Sequence, residues 1–167
     1  MLERTTIRSP QELFIYQLGA ALKMENTIEG MLGKLIEQAN DSELRQQLRH
    51  HREETHAQIR NLHQVFQALG EEPDEQPCPA IEGIEKEGQT NLKLTEDDLH
   101  DAVILAGAAQ TEHHEIAVYE DLIAHAGAMG QDDVVGLLRE NLEQEQATLG
   151  KVLKATVRVA DRQPAAR

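Results

Sequence analysis

Cysteine is almost missing from the 167-residue chain: Cys78 is the only one. That excludes an internal disulfide framework and an iron site built on four thiolates. Tryptophan is absent and aromatic residues amount to 2%. The interior must therefore be packed from aliphatic side chains and alanine, which suits close-packed helices better than a β-sandwich. No run approaches the apolar length of a membrane span, and the N-terminus lacks a basic-then-apolar export pattern. The cytoplasm is the expected location, and no membrane is an expected partner. Positive charge is scarce, with 16 Lys and Arg against 30 Asp and Glu and a formal net charge of −14. Such a surface repels phosphate backbones, so nucleic acid is not an expected partner either. The deficit is sharpest between Leu94 and Leu138, where neither Lys nor Arg occurs.

What the chain has in abundance is helix punctuation. Ser9-Pro10-Gln11-Glu12 puts a capping serine before a first-turn proline, with Glu at the third helical position. Asn40-Asp41-Ser42-Glu43, Thr95-Glu96-Asp97-Asp98 and Gly130-Gln131-Asp132-Asp133 open further helices, and Gly70 stops the second. The predicted spans are 10–39, 42–69, 96–128 and 131–159. Short turns make the first and second, and the third and fourth, antiparallel hairpins. Residues 70–95, with the proline-rich stretch before Ala80 and a short helical piece from Ile81 to Asn91, form a long crossover. The expectation is an all-α, ferritin-like antiparallel four-helix bundle of two hairpins over 10–159. A lead of 1–9 precedes it and a disordered tail of 160–167 follows.

The informative acids are those that face inward. At about 100° per residue, Glu25 shares the azimuth of Phe14, Ala21 and Leu32 on the first helix, while Glu12 and Glu37 point away and Glu29 lies at the edge. The second helix carries a seam of Leu44, Leu48, His51, Thr55, Gln58, Leu62, Val65 and Leu69, with Glu54 beside it. Glu53 and His56 match an E-x-x-H metal pattern by spacing, but both point off the seam, so Glu54 is preferred. On the third helix Glu112 shares a face with Leu105, Ala109, Ile116 and Ile123. Glu115 shares one with Ile104, Ala108, Tyr119 and Leu122. Glu145 is central to Val135, Leu138, Leu142, Leu149 and Val152 on the fourth.

Glu25, Glu54, Glu112 and Glu145 all fall near mid-helix, so in an antiparallel bundle they meet in one layer. A buried unpaired carboxylate costs several kcal/mol, and Lys23 and Arg52, the nearest cations in sequence, point outward. Two divalent cations would balance Glu25, Glu54, Glu112, Glu115 and Glu145. Oxygen and imidazole donors without thiolate select iron, with manganese or zinc as substitutes. His51, Gln58 and Tyr119 are read as supports that hydrogen-bond the ligating groups, His51 in preference to its being a ligand. Tyr119 is read first as a packing residue and second as a donor near the site. Tyr16 is read as packing, and His113 and His114 as solvated or interfacial.

These residues bear a resemblance. Glu53-Glu54-Thr55 with Gln58, Leu62-His63-Gln64-Val65-Phe66 and Glu112-His113-His114-Glu115-Ile116-Ala117-Val118-Tyr119 resemble the ferritin-like YciE/YciF family of small bacterial stress-associated proteins. The Pro-Cys-Pro-Ala-Ile-Glu-Gly crossover and Glu145-Gln146-Ala147-Thr148 are similar too, so the likeness spans about residues 8–155. It implies a rubrerythrin-like bundle, often a homodimer, with Glu112 and Glu115 as paired carboxylates. Ala57 and Thr148 stand where ferritins and rubrerythrins place histidine three residues after a ligating Glu. The expected partners are metal ions and small oxidants. Fe(II) oxidation by dioxygen or peroxide in stress protection is the leading expectation. A non-catalytic, metal-stabilised bundle or a metal-free helical interaction protein is the alternative.

Overall fold

Ser9 begins the first helix as its type dictates: its backbone is extended and its Oγ accepts the Glu12 N–H at 3.1 Å. The computed structural model describes residues 6–162, and the chain there is all-α. Helix α1 (Pro10–Gln38) turns into α2 (Ser42–Leu69), which Asp41 caps by accepting the Glu43 and Leu44 N–H groups. Gly70, in the left-handed region at φ 72°, ends α2, a conformation that costs glycine little. Then follow α3 (Pro79–Leu94), a 3-10 turn (Asp97–Leu99), α4 (His100–Ala128) and α5 (Asp132–Arg162).

Boundaries depart from expectation in three places. The short helical piece is a full helix, α3, starting at Pro79. Thr95 does not open α4; its hydroxyl donates back to the Asn91 and Leu92 carbonyls, so it finishes α3 instead. The last helix continues to Arg162, because Arg158 and Arg162 have anionic partners, so residues 160–162 of the expected tail are helical. Residues 163–167 and 1–5 lie outside the described residues. On α1, Tyr16 and Leu13 were expected in the core, yet both are exposed, since the buried face is centred on Leu18 and Glu25.

Polar ties reveal how the helices run. The Asn40 and Asp41 N–H groups donate to the Asp101 carboxylate at 2.7 and 2.9 Å, seating the α1–α2 turn on the first turn of α4. Arg162 reaches Asp41 at 2.7 Å from the end of α5, while Asn61 near the end of α2 donates to Asn141 near the start of α5. Gln17 on α1 donates to Asp121 on α4 at 3.1 Å. The pairs α1/α4 and α2/α5 are therefore antiparallel. Helix α3 packs on α4 and α1. The segment leading to it crosses so close to Gly19 that a β-carbon there would strike the Asp74 carbonyl and the Gln76 side chain.

Seam spacing explains why these faces pack. The buried residues recur in steps of three and four: Phe14, Leu18, Ala21, Glu25, Ile28 and Leu32 on α1, then Leu44, Leu48, His51, Thr55, Gln58, Leu62 and Val65 on α2. That rhythm keeps one stripe of each helix facing its neighbours along its length. On α5 it reads Val134, Leu138, Asn141, Glu145, Thr148, Val152 and Ala155. Of the expected stripe, Leu138 and Val152 are buried, whereas Val135, Leu142 and Leu149 are only half buried. Polar side chains took the central places.

Asp41 joins three helices, and its capping hydrogen bonds, chiefly to Leu44, hold its carboxyl below the ordinary value. Asp41→Ala should lower stability by about 1–2 kcal/mol in urea unfolding at neutral pH. An unchanged urea midpoint would remove Asp41 from this role.

Candidate metal centre

At the middle of the seams the aliphatic packing stops. His51, Glu112, Glu115 and Glu145 are buried, and one donor atom from each lies within 4.8 Å of the others. His51 Nε2 stands 3.1 Å from Glu112 Oε1, though too obliquely for a hydrogen bond, and Nδ1 stands 3.7 Å from Glu54 Oε2. The histidine read as a support thus sits within the donor cluster itself. It comes from three residues before Glu54, where the ferritin pattern puts it three after.

The other expected residues surround this quartet. Glu25 is fully buried and accepts a short hydrogen bond from the Tyr119 hydroxyl. Glu54 stands at the rim, 18% exposed, 3.2 Å from His50 Nε2, 4.0 Å from Lys151 Nζ and 3.4 Å from the Thr148 hydroxyl. The reason is register: Glu25, Glu112, Glu115 and Glu145 occupy seam positions, whereas Glu54 is one residue short of the seam position held by Thr55. Gln58 is buried beneath them. The rejected pair, Glu53 and His56, is exposed, with His56 hydrogen-bonding Glu29 at 3.1 Å. His113 is exposed; His114 is half buried, 3.9 Å from Cys78 Sγ.

Asn141 escaped the sequence reading because only apolar residues were used to locate the α5 stripe. Its Nδ2 donates to the Tyr119 hydroxyl at 3.1 Å and to the Gln58 carbonyl at 3.3 Å. The chain Asn141–Tyr119–Glu25 fixes one carboxylate of the site from two other helices. The three-four count through Leu138 and Glu145 would have found it.

Ten polar atoms here are buried without a hydrogen-bond partner: both from Glu115, Glu145, His51 and Gln58, with one each from Glu25 and Glu112. Roughly nine in ten buried polar atoms in proteins are paired, so this concentration marks a place built for charge. Among the described residues no Lys or Arg pairs with Glu25, Glu112, Glu115 or Glu145; Arg52 instead binds Glu29 at 2.6 Å on the outside. Burial pushes the Glu145 carboxyl up to about 10, with Glu25 and Glu112 adding to the rise and His51 opposing it. Burial likewise raises Glu115 well above its ordinary value, and brings Glu25 to about 7 against the pull of the Tyr119 hydrogen bond. For His51 burial works downward, but the carboxylates of Glu112 and Glu54 outweigh it and hold the ring at about 10. Without a cation the cluster keeps protons. The buried His/Glu group can hold a metal ion, and its oxygen and imidazole donors suit iron, manganese or zinc.

The sign of the linkage follows. A carboxyl raised on folding stabilises the fold below its ordinary value of 4.5 and loses that contribution as pH climbs toward its folded value of about 10. In the presence of a chelator, Glu145→Gln should match the parent at pH 4.5 and be the more stable form at pH 9, as read by thermal melting. Parallel decline of the two proteins over that interval would refute the buried, protonated Glu145.

Comparison with known proteins agrees with this architecture. Residues 9–164 match the model of a domain of unknown function, DUF892. The chain is 32% identical to protein YciF of Escherichia coli K12 over 144 residues, 85% of this chain and 87% of that one. The crystal structure of the E. coli stress protein YciF superposes with a TM-score of 0.89 at 29% identity, covering 94% of this chain and all of the other. YcfI from Rhodopseudomonas palustris, described as a candidate structural protein, gives 0.86 at 40% identity over 91% and 97% of the two chains. The helical bundle with its buried His/Glu cluster therefore belongs to the DUF892 family, the family of YciF-like stress proteins.

Proposed function

We propose that the chain is a ferritin-like four-helix bundle, two antiparallel hairpins joined by the crossover that carries α3, holding a two-metal carboxylate centre. Iron is the preferred metal, and the substrates are Fe(II) with dioxygen or a peroxide. The observation that carries this reading is the set of buried, unpaired carboxylate oxygens of Glu25, Glu112, Glu115 and Glu145 that gather with the His51 ring from four helices, with no Lys or Arg paired to them among the described residues. Glu112, Glu115, Glu145 and His51 would hold the metals, with Glu25 and Glu54 completing the two ends. Bound iron would supply the electrons that reduce the oxidant. The chain's own part is to bind and orient. Tyr119 and Asn141 fix Glu25, whose carboxyl burial raises to about 7 while no cation is bound. The proposed setting is stress protection in the cytoplasm, as a homodimer.

A second reading is favoured by the single imidazole and by Thr148 standing where ferritins place the other. In it the metal neutralises the core and stabilises the fold without turnover, in keeping with the structural role named for the R. palustris relative. At a free metal concentration of a hundred times Kd that stabilisation is about 2.7 kcal/mol.

Elemental analysis of protein purified without added metal, with Fe(II) oxidation followed in air and with peroxide, decides between them. The first reading expects bound iron, turnover, and loss of both in Glu112→Ala and Glu145→Ala. Metal retention with a chelator-sensitive melting temperature but no oxidation selects the second. A metal-free protein that ignores added Fe(II), Mn(II) and Zn(II) refutes both.

A further inference from the structure

One end of the helical bundle is hollow. A cavity of about 680 Å³ lies among the second half of α1, the first half of α2, α3, the first half of α4 and the second half of α5. Small-molecule sites occupy about 300–1,000 Å³, so the space is of ligand size. Its wall is aliphatic, with Ile28, Leu32, Leu48, Ile84, Leu105 and Val152 prominent. At its inner end it meets His51 and Glu112, both more than nine-tenths buried, whose His51 ring nitrogens and Glu112 Oε2 have no hydrogen-bond partner. The outer rim mixes Lys34 and Lys93 with Glu37, Glu43 and Glu85, so it favours neither sign of charge.

We propose that this cavity binds a small, uncharged, lipophilic molecule whose hydroxyl head is directed to the inner end beside Glu112 and His51. The aliphatic wall selects the body of the molecule by the area it buries. The inner end selects the head. Glu112 offers an unpaired acceptor, which a hydroxyl satisfies by donating. A carboxylate head would face the carboxyl groups of Glu54 and Glu112, and an ammonium head would have to shed its water among the aliphatic side chains of the wall. A neutral donor avoids both costs. The head rests on Glu112 and His51, which the dimetal reading also uses, whereas the body rests on the cavity wall, so probe binding and metal turnover can fail separately.

The test uses the full chain, prepared both with chelator and with Fe(II) or Zn(II). Binding is read with N-phenylnaphthylamine, an uncharged probe whose emission rises in apolar surroundings, and by its displacement with decanol, decanoate and decylamine. Saturable one-to-one binding is expected, displaced best by decanol. Two variants obstruct the space from different helices and replace no donor residue. Ala108→Phe acts on the α4 seam between Leu105 and Glu112; Gly88→Leu acts on α3, where an added β-carbon meets nothing within 4 Å. Each should weaken the probe by about tenfold or more, with helix content and metal content unchanged. Absence of saturable binding, or binding that survives both variants, overturns the site. Better displacement by decanoate or decylamine overturns the neutral head. Binding that falls as the protein self-associates overturns it in favour of a second copy covering the cavity. Loss of metal turnover with probe binding intact would sink the dimetal reading alone.

Discussion

Four carboxylates and one imidazole share a buried volume in which, among the described residues, no lysine or arginine pairs with them, and the rest of the bundle is arranged around that imbalance. Taking these groups out of water costs several kcal/mol for each charge left uncompensated. The chain can meet the cost only with protons or with a bound cation. Its basic residues are deployed elsewhere: Arg52 holds Glu29 on the outside, Lys34 holds Glu85, and Arg158 and Arg162 clasp the α1–α2 turn. The absence of Lys and Arg from 94 to 138 has its physical meaning here, because α4 supplies two of the buried acids and no countercharge of its own. A metal ion bound here would compete with protons for one set of donors, so its occupancy would depend on pH.

Around the acids lies a layer of neutral polar side chains that orients them. Asn141 holds the Tyr119 hydroxyl, which in turn donates to Glu25; Thr148 donates to Glu54; Thr55 ties its own hydroxyl to the His51 carbonyl. Such a network is specific only when its members are satisfied together. Here the outer members are satisfied and the inner ones are not. The unpaired atoms belong to the central groups, as a site built to hold a cation from several sides requires.

How much of this was legible in the chain depends on what each residue reports. Caps are local chemistry, so Ser9, Asp41 and Gly70 marked their helix ends correctly. Thr95 did not, since whether a hydroxyl caps forward or bonds backward is decided by the preceding turn. The burial of Glu25, Glu112, Glu115 and Glu145 was legible because each shares a broad face with aliphatic residues of its own helix. Asn141 and Thr148 were passed over for the converse reason: they are seam residues whose neutral polarity looked like surface. His51 stood on the seam from the start, yet it was read as a support, because a lone buried histidine is more often a satisfied core residue than a ligand. The three-four count ranks His51 above Glu54, and the arrangement of the side chains agrees with the count.

Composition also divides the molecule lengthwise. The chain has two phenylalanines and two tyrosines. Phe14, Tyr16, Phe66 and Tyr119 all lie toward the end where α1 and α5 begin and α2 and α4 finish. Three of the four are buried there, and they fill that half with their rings. The other half has aliphatic side chains and Met31, and no Phe or Tyr ring, with which to fill the same width between helices. Side chains of that size leave space that close-packed interiors do not have, and α3, laid across α1 and α4, roofs it over without filling it. The donor cluster sits at the junction. One side is sealed by aromatic packing that holds Tyr119 and Glu25 in place, and the other opens through His51 and Glu112 into the cavity. Among the described residues the cavity meets the cluster at His51 and Glu112, on the side of the bundle that has no Phe or Tyr ring.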